Sequence, residues 1–580
     1  MRRRDFAFLI PAAALAQKAV TLPTDPILRA MQEEMARSAR PLGVIGGQPL
    51  YYIECALDDA NAFRASASLG ALFSASQQAF RVPRVSLRIG DKKFDNTNYV
   101  FSEAFMGTRF DPDQFPLDNN NSAMRQVLWL ALDRAYKTAT EAFGRKRAAL
   151  RNITQAEEIP DFSDATPVKL VEPIPNWKPD EDLWKGRITR LSKIFVAYPE
   201  VFTSSVDFES SRDIYYFANT DGAEMRTTEL LSYVRVRANG QSPDGMRVRD
   251  HENFLALDTS KLSSEAEMEK RIRKVGDNVR ALVSAPVGDN YSGPVLFEAE
   301  AAAQLFSDLV GSQGTVFRKP VAEPGRPMNL PAGEFEGRKN SRVLPSTFTV
   351  VDDPTQKEYK GRPLMGHFPA DLEGVKPEPV VLIEKGTFKA YLSTRVPTRD
   401  NKVSNGHARL PGGFGGYVAS MSNLFVKAEE TVAPDELKKK FIDLLKQRNK
   451  PFGMLIRKLD FPSTASFDEL RQMLSAGARP AAPPLLAYRV YPDGREELVR
   501  GLRFRGLNVR ALKDIVAAGS DEVQFDFIAN AAPFSIVGGG NYVFGCSTVA
   551  PSILFDDLEL ERPQVELPKL PLVSAPALTA

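Results

Sequence analysis

Between Tyr291 and Gly311 the chain reads YSGPVLFEAEAAAQLFSDLVG, an apolar strand (Pro294 to Phe297) that runs without a turn residue into a helix. Ala302, Leu305, Phe306 and Leu309 fall at i, i+3, i+4 and i+7 and predict a core-facing side. Glu300, Gln304 and Asp308 recur every four residues and predict a polar side. A fold that accepts this segment must supply a sheet for the strand and a second apolar layer for the helix. The junction is rigid, and the first helical turn offers free N–H groups, so it is also a place to mount chemistry.

Upstream, Asp25 as N-cap and Pro26 at the first helical position mark a helix over 24–40. Three strand-like runs follow, LYYIECALDD, FRASASLGALFSA and RVSLRIGDKK, divided by Asp58-Asp59-Ala60-Asn61 and by Pro83. A helix is expected over 122–151, with Val127, Leu130, Ala131 and Arg134 marking its register. Its basic end, with Arg145, Lys146, Arg147 and Arg151, reads as a solvated terminus favoured by the helix dipole. Residues 157–182 are rich in proline and acid and read as an ordered linker or surface loop. A helix over 183–197 precedes strands whose hairpins turn on Asn219-Thr220-Asp221-Gly222 and on Asn239-Gly240. A charged helix over 263–284 ends before Pro286.

Downstream of the junction, hairpins are expected at Glu384-Lys385-Gly386 and Pro492-Asp493-Gly494, helices over 433–448 and 509–517, and a strand in FGMLIRKLD. The fold class is α+β with two domains. An N-terminal α/β part (17–285) combines an antiparallel sheet with long helices, and a C-terminal part (286–567) is β-rich. An export signal (1–16) precedes them and a proline-rich tail (568–580) follows.

Net charge is +2 from 75 basic and 73 acidic residues, which gives no general affinity for nucleic acid. Arg2, Arg3 and Arg4 lead into FAFLIPAAALA and an Ala14-Leu15-Ala16 cleavage pattern. Arg3-Arg4-Asp5-Phe6 fits a bacterial twin-arginine signal, so the expected location is periplasmic or extracellular. No stretch reaches the roughly 20 apolar residues of a membrane span. Cys55 and Cys546 are either a disulfide or two free thiols. Only three histidines occur, and the G-x-S-x-G, P-loop, H-E-x-x-H and C-x-x-C motifs are all missing. His251-Glu252 is half of a zinc motif with no partner histidine in 254–257, so His251 is read as a surface residue; His367 lies in a loop. The glycine runs at 412–416 and 538–540 suit turns or close approach to a substrate backbone.

SASLGALFSA, YFANTDGAEMRT, GPVLFEAEAAAQLF, and PVVLIEKGTFKAYLSTR with the following NGHAR together resemble the TldD/PmbA family, from about Asp25 to Arg562. The resemblance implies two-domain proteins that dimerise around a channel. It implies a TldD branch that is a zinc peptidase of unfolded peptides and a PmbA branch that partners it without the zinc motif. In the peptidase branch this strand continues into H-E-x-x-x-H. In register, the first histidine falls on Glu298, the glutamate on Ala299 and the second histidine on Ala303. Zinc hydrolysis needs imidazole ligands and a carboxylate to take a proton from bound water, and alanine supplies neither. Cys546 lies where that branch has a cysteine ligand, but its spacing to Pro551 is too short to carry the role over. Arg395, Asn405, His407 and Arg409 match the family's T-S-R…S-T-G-N-A-R run and are candidate substrate-binding residues. Two roles fit them. The loop faces bound peptide, with Arg409 forking onto a carboxylate or carbonyl, or it is pinned by hydrogen bonds of Asn405 and Arg409. The resemblance thus implies a PmbA-type subunit with no cofactor of its own that binds or channels peptide. Its partner would be a second copy or a motif-containing TldD-like homologue. The alternatives are a peptidase with a non-standard metal or catalytic site, and an envelope interaction protein.

Overall fold

The computed structural model describes residues 25–45, 49–100, 109–110, 115–151, 158–316, 318–322, 333–411, 417–461, 481–530 and 543–562. The export signal, both glycine runs and the tail lie outside these residues.

Helix α1 (Pro26–Ile45) starts as expected, with Asp25 Oδ1 accepting from the N–H groups of Ile27 and Leu28 at 2.9 and 3.1 Å. The three expected strand runs are instead one long hairpin, β1 (Leu50–Ser68) and β2 (Ala71–Ile89). It turns on Leu69 and Gly70, both at positive φ. Pro83 does not break β2 because β2 is an edge strand there. Among the described residues its outer side meets only β3 (Arg109–Phe110), at Arg84 and Val85. Asp59 does not break β1 because Arg81 across the hairpin neutralises it at 2.9 Å.

Helix α2 (Asn121–Leu150) is capped by Asn120, whose side chain accepts from Ala123 N. Its buried stripe runs through Met124, Leu128, Ala131, Leu132 and Tyr136, so Leu130, expected inside, is 42% exposed. Lys146 is not part of a solvated end but is buried. It donates to Asp161 Oδ2 at 2.5 Å, Thr97 O at 2.7 Å and Asp95 O at 2.9 Å. Asp161 belongs to the segment read as a linker, which this ion pair fastens to the helix.

The first sheet continues through β4 (Lys169–Val171), β5 (Val201–Asn219), β6 (Glu224–Gln241) and β7 (Arg247–Ala256), with α3 (Glu181–Lys193) and α4 (Glu265–Ser284) beside it. Strand order is β3-β2-β1-β5-β6-β4, with β7 also paired to β6. The β5–β6 turn lies at 220–222 as expected. The next turn is not at Asn239-Gly240 but at 242–245, where Pro243-Asp244-Gly245 supplies stronger turn chemistry. Gly240 stays in the strand, and a Cβ there would come 2.6 Å from Glu200 O, so close packing explains this glycine. Helices α1 and α2 pack over Ile53, Leu57, Val85 and Tyr216, and α3 and α4 over Phe63, Phe208, Val234 and Val236.

Two further sheets follow, built from β8 (Tyr291–Phe297), α5 (Ala299–Phe306), β9 (Phe348–Asp352), β10 (Val380–Glu384), β11 (Thr387–Phe388), β12 (Asn423–Ala428), α6 (Pro434–Gln447), β13 (Gly453–Leu459), β14 (Pro484–Val490), β15 (Glu496–Val499), β16 (Arg503–Arg505), β17 (Ile515–Ala518), β18 (Val523–Asn530), β19 (Val543–Ala550) and β20 (Ile553–Glu561). One sheet runs β11-β10-β9-β12-β19-β18 and the other β15-β14-β13-β8-β20-β16, with β17 on β20. The expected helix at 509–517 is a single 3₁₀ turn (Ala511–Asp514) followed by β17. The turn at Lys385-Gly386 takes positive φ at both residues, as a tight hairpin requires. Cys55 in the first sheet and Cys546 on β19 are buried free thiols. The molecule is α+β, antiparallel sheet and long helices in the N-terminal part and β-rich beyond it.

Helix α5 lies between the two C-terminal sheets, touching β13 on one side and β18 and β19 on the other. Its alanines let the layers approach: Ala301, Ala302 and Ala303 are fully buried. The expected polar side is also inside. Gln304 bridges Phe461 O at 3.1 Å and Leu459 N at 2.7 Å, and Asp308 accepts from Ala482 N at 2.9 Å.

Candidate functional site

The β8–α5 junction opens on a cleft of about 690 Å³. Leu296, Ala299, Leu455 and Tyr488 give it an apolar floor, and α4 and α6 form its walls through Val275, Asn278, Pro434 and Leu437. A concave site of this size with an apolar floor and a few polar groups is the usual form of a ligand pocket.

Glu298 stands at the N-cap of α5, but its carboxylate does not cap the helix. Arg457 on β13 draws it away, Nε to Oε1 at 2.9 Å, and bonds Glu496 through Nη2 at 2.8 Å. Lys438 Nζ completes this chain on Glu496 at 2.6 Å. Ala299 borders the cleft, whereas Ala303 points into the packed layer between the sheets and is fully buried.

Across the cleft, Asp250 on β7 accepts from Lys458 Nζ at 2.8 Å and from Asn278 Nδ2 at 2.7 Å, and Glu252 accepts from Arg271 at 2.6 Å. Glu300 touches cleft solvent, yet protein crowds it enough for burial to push its carboxyl upward, partly opposed by Lys458.

His251 is not at the surface but is buried opposite Arg237 on β6, with Nδ1 making no hydrogen bond among the described residues. Burial, then Lys458 and Arg249, hold its pKa well below the ordinary value, so the ring is neutral. His367 is half-buried, its Nδ1 2.8 Å from Pro354 O.

The donor set at the junction does not fit a zinc ion. Ala299 and Ala303 carry only methyl groups, and Glu298 is a carboxylate already held by a guanidinium. Among the described residues no group of three or more His, Cys, Asp or Glu side chains is arranged to hold a metal. Positive charge at this site is built into the chain: Arg457 answers Glu298, Lys458 answers Asp250 and Arg271 answers Glu252.

The loop holding Arg395, Asn405, His407 and Arg409 lies elsewhere, and none of the residues lining the cleft belongs to it. Arg395 is buried, with its guanidinium 4.0 Å from the Phe162 ring and bonded to Ser163 O at 2.9 Å and Asp221 at 2.8 Å. It ties the loop to the first sheet. Asn405 accepts from Ser393 N and donates to Tyr391 O, so it pins the loop from within. His407 Nε2 is 3.1 Å from Asp352, both fully buried. Arg409 stacks between Phe368 and Phe544 at 4.3 and 4.6 Å, with Nε unbonded among the described residues.

Beneath this loop Glu373 accepts from Arg395 N at 2.6 Å. Burial first, then neighbouring Asp371, pushes its carboxyl up to about 8. A folded pKa above the unfolded one contributes stability that is complete below about pH 4.5 and lost as pH rises to about 8. Urea midpoints should therefore fall across that window, and Glu373→Gln, which keeps the acceptor oxygen, should flatten this part of the fall. An unchanged profile in the variant would place the titration elsewhere.

Sequence reading missed the cleft's charged residues because Asp250 and Glu252 flank the histidine that had drawn attention, and Arg457 and Lys458 follow Glu298 by more than a hundred residues. The alternation in IRKLD on a strand was the available signal.

Residues 290–450 match the family model described as the PmbA/TldA metallopeptidase C-terminal domain. A metalloprotease of Archaeoglobus fulgidus is 34% identical over 92 residues, 16% of this chain and only 20% of that protein, so the match spans about a fifth of the relative's length. Among solved structures, a Thermotoga maritima protein described as a modulator of a DNA gyrase superposes with a TM-score of 0.57 at 14% identity, over 91% of this chain and 100% of that one. TldE of Thermococcus kodakarensis gives 0.52 at 14% identity over 91% and 100%, and a Bacteroides thetaiotaomicron modulator of DNA gyrase 0.51 at 11% over 92% and 98%. At these identities the structures show the shared fold. No described helix is long and apolar enough to cross a membrane.

Proposed function

We propose, from the premise that this chain belongs to the TldD/PmbA family, that it is a PmbA-type subunit without a zinc site of its own that binds or channels peptide in proteolysis. The observation that carries this reading is the cleft at the β8–α5 junction, which keeps an apolar floor and charged walls while Glu298, Ala299 and Ala303 stand where the peptidase branch has its motif. An extended peptide suits the floor of Leu296, Leu455 and Tyr488, and its polar backbone suits the rim. The Arg3-Arg4 signal supports export, and the family resemblance supports a dimer with itself or with a motif-containing homologue.

Fluorescence anisotropy with labelled unstructured decapeptides tests this. Binding is expected without cleavage, and Tyr488→Ala should weaken it about tenfold, the equivalent of ~1.4 kcal/mol. Undiminished binding in that variant would move the peptide out of the cleft.

A further inference from the structure

Most of the positive charge that lines the cleft is already committed. Among the described residues, Lys458 is held by Asp250 at 2.8 Å, Arg271 by Glu252 at 2.6 Å, Arg457 by Glu298 at 2.9 Å and Lys438 by Glu496 at 2.6 Å. Glu300, in the first turn of α5, is a carboxylate left over from this pairing. It lines the cleft and makes no hydrogen bond or ion pair among the described residues. The charges that act on it most strongly are Lys458 and Arg271, which favour its ionisation, and Glu252 and Asp250, which oppose it. Those four are paired with one another, so the charge of Glu300 itself goes unanswered. Asp435 on the α6 wall also lacks a cation among the described residues, so the uncommitted charge of the cleft is mainly negative, with the exposed Lys274 as the exception.

Glu300 differs from Asp435 in that protein crowds it, and burial pushes its carboxyl upward. A carboxylate that is crowded yet unpaired is costly to ionise, and a cation from outside would offset that cost. The bond it makes would be charge-assisted and formed where water is partly excluded, so it is stronger there than on an open surface. The floor suits such a group too. Leu296, Leu455 and Tyr488 can cover a methylene stem while its charged end reaches the carboxylate.

We propose that Glu300 is a specificity-determining residue that makes the cleft select peptides carrying a positive group, either a lysine or arginine side chain or a free N-terminal ammonium. The inference rests on the reading that peptide occupies this cleft, and it adds which peptide.

Three unstructured decapeptides of otherwise identical sequence, labelled at the C-terminus, test it by fluorescence anisotropy. One is N-acetylated and uncharged, one is N-acetylated with a single central lysine, and one is uncharged apart from a free N-terminus. At least one cationic peptide should bind the wild type ~10-fold or more tighter than the uncharged one, and the one that does so names the source of the charge. Glu300→Gln should bring that pair to within about threefold of each other. Its thermal unfolding should match the wild type, because no described group bonds the carboxylate. Equal binding of all three peptides to the wild type overturns the proposal, as does a preference that survives Glu300→Gln. If those equal affinities still fall in Tyr488→Ala, peptide binding in the cleft stands without the proposal. No binding by any of the three overturns both.

Discussion

Lys146→Met is expected to lower unfolding stability by about 3–5 kcal/mol, one of the two largest effects in the molecule. The ammonium and its partner Asp161 have side chains only 3% and 2% exposed. Methionine fills the same volume but takes the ammonium from the carbonyls of Asp95 and Thr97 and from the Asp161 carboxylate, which keeps only the more distant Arg318 at 3.1 Å as a counter-charge among the described residues. Breaking a buried pair and stripping two buried carbonyls of their donor costs far more than the pair contributes. Burial holds the Lys146 pKa below its usual value and raises that of Asp161, so both sites feel desolvation even when paired. Urea denaturation of Lys146→Met, Asp161→Asn and the double variant measures the coupling. The double variant should be more stable than the sum of the single losses predicts; simple additivity would mean that the two groups do not act as a pair.

Lys458→Met should cost a similar ~3–5 kcal/mol, and its effect reaches the cleft. Lys458 is 11% exposed and its partner Asp250 is 1% exposed. Glu252 and Glu300 also press on this ammonium and help keep its pKa raised against burial. Without it, Asp250 keeps, among the described residues, the Asn278 amide and the backbone N–H of His251 as donors, and Glu300 loses its strongest opposing charge. Asp250→Asn in the Lys458→Met background should recover part of the loss. A single variant as stable as the wild type would show that Lys458 is not the cleft's internal counter-charge.

Much of the local chemistry was legible where a residue acts on its near neighbours. The Asp25 cap, the Lys385-Gly386 and Pro492-Asp493-Gly494 turns, and the passage from β8 into α5 all follow from residues a few positions apart. Periodicity failed where a polar side chain finds a distant backbone partner. Gln304 and Asp308 recur like a solvent face, yet they bond Leu459, Phe461 and Ala482 inside the molecule. Lys146 and His251 were misplaced for the same reason: burial depends on a partner strand or segment that spacing does not reveal. Of the candidate site, the strand-to-helix junction was readable. The cleft was not, because its charges come from β7, α4, β13 and α6, which only the fold brings together.

Zinc content tests most directly whether this junction has given up metal chemistry for fixed charge. Purified protein incubated with zinc, then dialysed into metal-free buffer, should retain less than about 0.1 zinc per chain, and Glu298→Ala should leave that value unchanged. One zinc per chain, lost on Glu298→Ala and accompanied by chelator-sensitive peptide cleavage, would contradict it.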